Sequence, residues 1–304
     1  MSLKLLLNNL VKKSSWFYDN QFKDCEKFWK GFGHNLDMIN LGSNSGKFAF
    51  DYSETSSIKA ANLATGPQPL IMDYGIFLTY GGCLKEGGIV LIPLCPFSSM
   101  VGANIYVENR FYSILPDKFI PDAQYKQRKL TESYLNDAYK YYPLFQLYVE
   151  LKTKAKRMFY INIREKKIDF VADAKRWVDN WKAEFSITNL DEPITSINQK
   201  SFDESSAILK KLLHAIINKG YKPYMLIPPI SSELSAYFSI EMRQNYIINY
   251  VERVRQDISV PFHSYIDDQE FANDHSLFQN SFLMNKKGAK LFTKRVLKDL
   301  NLIY

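Results

Sequence analysis

The chain is poor in the residues that build disulfide scaffolds, metal centres and membrane spans. Among 304 residues there are three cysteines, Cys25, Cys83 and Cys95. An odd number without regular spacing argues against a disulfide framework and against a cysteine-ligated zinc site. Cys83 and Cys95 stand in apolar surroundings and read as small core residues. Histidine is equally scarce, with four in all, so any proton-transfer role falls on few positions. No uncharged apolar run reaches the ~18 residues that a membrane-spanning helix needs. A lysine-bearing phosphate loop, an internal repeat and a low-complexity tract are all missing as well.

Apolar and aromatic residues are plentiful: 46% of the chain is hydrophobic, with 20 tyrosines and 21 phenylalanines. That is enough to bury a large core, in one domain or in one domain plus an insertion. The formal net charge is +7, yet acids and bases alternate along most of the chain. The densest basic runs, Lys152–Arg157 and Arg164–Lys167, lack the interleaved aromatics of a single-strand nucleic-acid platform. They read as solvated lysines, with no nucleic-acid partner. The chain as given is expected to be soluble, cytoplasmic or membrane-peripheral. Met1-Ser2-Leu3 is compatible with a cloning scar on a trimmed chain, which leaves a removed anchor open.

The periodicity predicts an α/β protein with three layers, a five-stranded parallel sheet between helices, and a helical insertion after the third strand. Leu5–Lys30 is helical in pattern. Strands are expected at Asp37–Leu41, Ile58–Leu63, Ile89–Leu94, Tyr224–Ile227 and Val260–Ile266, with a turn at Gly87-Gly88. Helices are expected at Pro69–Leu84, Phe202–Asn218 and Ser232–Gln256, and from an Asn285 N-cap to Leu300. The sheet rhythm divides the chain into 1–96 and 200–304. Residues 97–199 form a tyrosine-rich helical insertion, read as a lid or as an extra helical layer. Its stretches are Glu132–Tyr142, Leu144–Arg157 and Asp169–Glu184, the last with Val171, Ala174, Trp177, Val178 and Trp181 on one face.

The chemistry concentrates where strand one runs into Gly42-Ser43-Asn44-Ser45-Gly46. A small-residue turn between strand and helix sets side chains at the carboxyl edge of a parallel sheet, where open α/β folds build their sites. Three blocks resemble the SGNH (GDSL-type) hydrolase superfamily. They are Ile39–Ser45, Ala61–Gly66, and Asn280–Thr293 with its Asn285-Lys-Lys-Gly288-Ala289 core. The last is similar to the tail of bacterial polymer-modifying members, among them alginate O-acetyltransferases and the protein that assists D-alanylation of teichoic acids.

The resemblance implies an esterase or acyl transferase on a carbohydrate or cell-surface polymer. It implies membrane-associated polymer-synthesis partners and an acylated small-molecule or polymer ligand; no cofactor is expected, and with no histidine and cysteine cluster in the sequence no metal. In its register, however, the nucleophile, orienting acid and base fall on Asn44, Asn280 and Leu283. None of these can do that chemistry, and losing triad members removes most of the rate. The family's Gly-x-Asn-Asp block falls near Cys95-Pro96-Phe97-Ser98, with Gly102-Ala103-Asn104 a few residues on.

A shifted site would use Ser43 or Ser45 as nucleophile and His275, beside Asp274, as base. Gly42 and Gly66 would donate to an oxyanion, and Asn44, Ser98 and Asn280 would line the pocket. His275 equally reads as an exposed loop residue. His34 lies at the wrong end of the sheet, His214 on a helix face, and His263 inside strand five. Asp267-Asp268 could orient His275, bind a cation or cap a turn, and capping is the first reading. Two further readings stand beside the enzyme: an SGNH-like binding protein that has lost the triad, and a phosphate cradle at Gly42–Gly46.

Overall fold

The computed structural model describes residues 24–102, 110–120 and 168–303, with isolated residues between 3 and 10 and between 147 and 155. The expected helix at Glu132–Tyr142, most of Leu144–Arg157 and of Leu5–Lys30, Asn104 and the Arg164–Lys167 run lie outside the described residues. The chain divides into two compact units, one of residues 31–105 with 168–304, the other of 1–30 with 106–167. In the smaller unit a helix at Glu26–Lys30 buries Phe28, and Arg110 pairs with Asp24 at 3.6 Å.

The larger unit is built on a five-stranded parallel sheet: β1 (Leu36–Asn40), β2 (Ala60–Asn62), β3 (Leu84–Pro93), β4 (Lys222–Ile227) and β5 (Phe262–Ser264). Their spatial order is β2-β1-β3-β4-β5, and every neighbouring pair is parallel. Sequence order reverses between β1 and β3, so the crevice beyond their carboxyl ends is the natural place for a site. Helices α1 (Asn44–Ala49), α2 (Leu70–Tyr80), α3 (Phe170–Glu184) and α4 (Ser196–Asn218) precede β4. After it come α5 (Ser232–Ser235), α6 (Ile240–Arg243), α7 (Asn249–Arg255), α8 (Gln269–Ala272) and α9 (Lys286–Asp299).

The central strands read as apolar runs because both faces of the sheet are covered. Met38, Leu91 and Leu226 join Phe292, Val296 and Leu297 of α9 in one cluster. Ile39, Val90 and Met225 alternate with them on the other face and are fully buried too. Asn285 ends its loop by accepting the Gly288 N–H at 3.1 Å, as an N-cap should.

Two local expectations are corrected. Gly87-Gly88 is not a turn ahead of β3 but part of the strand. Pairing jumps from Leu36↔Leu84 to Met38↔Ile89, and Gly87 at φ +67 lets the chain kink without leaving the ladder. The single helix expected over Ser232–Gln256 is broken. Ser239 accepts the Met242 N–H at 3.0 Å and starts α6 afresh, and a π-helical turn at Gln244–Ile248 joins α6 to α7. A serine hydroxyl that can cap competes with continuing the helix through it. On α3, Ala174, Val178 and Trp181 are buried as the periodicity predicts, whereas Val171 is exposed.

Candidate functional site

The turn after β1 is held by a buried amide network. The Asn40 amide donates to Leu41 O at 3.1 Å and to Asn62 Oδ1 at 3.0 Å, while its oxygen accepts the Tyr52 hydroxyl at 3.1 Å. The Asn62 amide donates in turn to Lys47 O in the last turn of α1 and to Phe50 O just after it, carbonyls that a helix end leaves without an internal partner. One asparagine on each of two neighbouring strands thereby pins α1 against the sheet edge.

Gly42 takes φ +107, and a side chain there would meet Pro93 O at 3.1 Å, so the turn needs glycine. Its N–H donates to Asp73 Oδ1 at 2.7 Å. That amide is therefore already used and does not face a pocket. Asp73 comes from α2, is buried, and also accepts the Gln68 side-chain amide. Burial pushes its carboxyl up to about 7 against the pull of these two donors. Gln68 completes the arrangement: its Oε1 accepts Thr65 N at 3.0 Å and Thr65 Oγ1 at 2.7 Å.

The three residues that follow Gly42 point to different tasks. Ser43 Oγ accepts the Gln68 backbone N–H at 3.0 Å. Asn44 lies against Gly66, so closely that a methyl group there would clash with Asn44 Oδ1. Ser45 is buried and lines a cavity with Leu94, Ile227, Pro229, Phe282 and Leu283. The cavity encloses about 10 Å³, room for about one water. Among the described residues neither serine hydroxyl is hydrogen-bonded to a histidine or a carboxylate.

The loop before α9 forms the far wall. Asn280 Oδ1 accepts the N–H groups of Phe282 at 3.0 Å and Leu283 at 2.8 Å, closing an Asx turn. Ser281 N and Oγ both donate to Asp173 Oδ2 of α3, at 2.9 and 2.6 Å. Partial burial opposes ionisation of Asp173, but hydrogen bonds from Arg176 and Ser281 outweigh it and hold the carboxyl below the usual range. Trp177 and Trp181 of the same helix each pack on Phe282 at 5.0 Å. Within the range expected as an insertion, α3 therefore roofs the loop that carries Leu283.

His275 stands apart from the serines. Its Nε2 lies 2.6 Å from Glu233 Oε1, and its ring is stacked on Phe170 at 4.1 Å. Asp274 does not orient it: Asp274 Oδ1 accepts Ser276 N at 2.9 Å and caps the 3₁₀ turn His275–Leu277. Ser98 is also structural, its Oγ accepting Cys95 N at 2.9 Å. Asp268 caps α8 through Glu270 N, and Asp267 pairs with Arg243 at 2.7 Å. The structure thus gathers Gly42, Ser43, Asn44 and Gly66 at one spot and Ser45 with Leu283 at a neighbouring one, and it joins His275 to neither.

Sequence reasoning passed over Asp73, Gln68 and Asp173. A signal for Asp73 existed, because an acid falling on the apolar stripe Leu70-Asp73-Tyr74-Phe77 must be buried. Asp173 had none, since its partner lies 108 positions away.

Fold and site together define a parallel α/β protein with a small, mostly apolar pocket at the carboxyl edge of its sheet. No protein-family model and no curated protein matches the chain. Among the described residues no group of three histidine, cysteine, aspartate or glutamate side chains could hold a metal ion. None of the described helices is long and apolar enough to cross a membrane.

Proposed function

We propose that this chain is an SGNH-like protein whose pocket binds an acylated carbohydrate or surface polymer without hydrolysing it. The reading starts from the resemblance of the Ile39–Ser45, Ala61–Gly66 and Asn280–Thr293 blocks to that superfamily. One observation carries the choice of binding over turnover. Leu283, at the position of the family's base, lines the cavity beside Ser45, while His275 is engaged by Glu233 and Phe170. A leucine accepts no proton, and a serine hydroxyl without a base is a poor nucleophile at neutral pH. The apolar lining suits a group no larger than a methyl, since the cavity encloses about 10 Å³, and the Asn44 amide, one residue before Ser45 on the same turn, suits a carbonyl or hydroxyl.

Two measurements test it. An acetylated oligosaccharide should bind at least tenfold more tightly than its deacetylated form by calorimetry, and an aryl acetate should turn over no faster than in buffer. Turnover that disappears in Ser43→Ala or Ser45→Ala would overturn the binding reading in favour of an esterase or acyl transferase. Equal affinity for the two oligosaccharides would remove the acyl group from the proposal.

A further inference from the structure

A groove of about 450 Å³ lies between the start of α4 and the run of the π-helical turn into α7. Its volume is in the range of small-molecule sites, about 300–1,000 Å³. It shares no lining residue with the cavity at Ser45. A second hollow of about 490 Å³ shares Glu252 and Gln256 with it, so the two form one elongated groove along α7. Asn245 to Gln256 alone covers about 16 Å at the rise of ~1.5 Å per helical residue.

Three amides of the groove are tied to the protein at one end only. Gln199 donates to Asp203 Oδ1 at 3.2 Å, and its Oε1 has no partner among the described residues. Asn245 donates to Asp191 O at 3.1 Å, which leaves its Oδ1 over. Asn249 accepts the Gln244 amide at 2.8 Å, which leaves its NH₂ over. Glu252 has no hydrogen bond or ion pair among the described residues, although Arg255 stands three positions on, within pairing reach along a helix. Arg253 spends one arm on Asp203 at 2.9 Å and keeps its other N–H groups. Acceptors and donors are thus mixed along the groove, and the bonds that fix the amides lower the cost of ordering them around a ligand.

The lining discriminates between ligand classes. In the part beside α4 the charges of Glu252 and Arg253 cancel, which gives no attraction to a phosphate backbone. The recurring peptide modes need a free strand edge, an apolar or aromatic groove, or an arginine cluster. This groove lies between helices and is largely polar. A sugar hydroxyl donates and accepts at once, which matches mixed acceptors and donors. The C–H face of a sugar ring matches the remaining lining, Pro193, Ile194 and the buried Phe202. We propose that this groove binds a neutral polysaccharide lengthwise, as a site separate from the cavity at Ser45. Asn245 belongs to the π-helical turn, a distortion found mostly at functional sites. The inference stands on the groove alone and holds whether or not the cavity at Ser45 takes an acyl group.

Nuclear magnetic resonance on the full labelled chain tests it, with unacylated hexasaccharides of glucose, mannose and galactose as probes. At least one should shift the side-chain amides of Gln199, Asn245 and Asn249 together, and its disaccharide should bind at least fivefold more weakly. Asn249→Ala and Glu252→Ala, both on the exposed helix surface, should each weaken the hexasaccharide at least fivefold and leave the urea midpoint unchanged. The proposal is overturned if no hexasaccharide moves these amides, or if both variants keep full affinity. A disaccharide that binds as tightly as the hexasaccharide overturns lengthwise binding. Shifts produced by an uncharged glycine-serine octapeptide and by none of the sugars would make the groove a peptide site instead. Because the probes carry no acyl group, a failure here leaves the acyl preference of the Ser45 cavity to its own test.

Discussion

Nε2 of His275 lies 2.6 Å from Oε1 of Glu233. The bond ties the loop after β5 to the start of α5, and it removes from the serine turn the histidine that the chain order offered. The pair is partly exposed, with 48% and 21% of the two side chains accessible. Exposed pairs of this kind contribute about 0 to 1 kcal/mol. His275→Ala should therefore lower unfolding free energy in urea by no more than about 1 kcal/mol and leave acylated-sugar affinity unchanged. A tenfold loss of affinity would put His275 back in the site.

Asp173 is the tie between α3 and the loop that carries Leu283. Asp173→Ala strands the Ser281 N–H and hydroxyl, and unpaired buried polar groups cost about 1–3 kcal/mol. The carboxyl is held below its ordinary range by Arg176 and Ser281 against the effect of burial. Its contribution is thus fully present above the unfolded aspartate range, about 4, and is lost as pH falls through the lower native value. Thermal unfolding of the native chain and of Asp173→Asn should differ above about pH 4 and converge in stronger acid.

For Asp73 the sign is opposite. Its native carboxyl titrates at about 7, above an unfolded value of about 3.9, so the folded state binds the extra proton. Stability should fall as pH rises from about 4 to about 7, by up to roughly 1.4 kcal/mol per unit, and level off beyond. Asp73→Asn should lack that slope, so the difference between the two urea titration series isolates it. Parallel curves would show that Asp73 is ionised throughout.

The two glycines of the turn should fail in different ways. Gly42→Ala forces an L-residue to φ +107 against Pro93 O, a conformation costing about 1–3 kcal/mol, and the loss should appear in the urea midpoint. Gly66→Ala drives its methyl group into Asn44 Oδ1, the free end of a side chain that can rotate away. Stability should fall by less than in Gly42→Ala, while affinity for the acetylated oligosaccharide falls at least tenfold. A crystal structure of Gly66→Ala should show Asn44 in a different rotamer.

The sheet was legible because its signals are local. β1, β3 and β4 are apolar runs of the length a doubly covered strand requires, and Asn285 marks a helix start through its capping side chain. Legibility ended where a local rule had a local rival. Ser239 fits a helix interior by spacing and an N-cap by its hydroxyl, and the cap prevailed. Gly87-Gly88 fits a turn and a bulge equally well, and pairing with β1 decided between them.

The sequence by itself determined the parallel α/β layering, the place of the Gly42–Gly46 turn at the carboxyl edge, and the residues standing at 44, 280 and 283. Hydrophobic period and turn chemistry act over a few positions and can be read there. Only the tertiary structure decided what those residues touch: the Gly42 N–H spent on Asp73, Ser45 beside Leu283, His275 turned to Glu233. Hydrogen bonds between residues 31, 42 or 108 positions apart depend on how the layers close, and donor and acceptor types alone leave many pairings open.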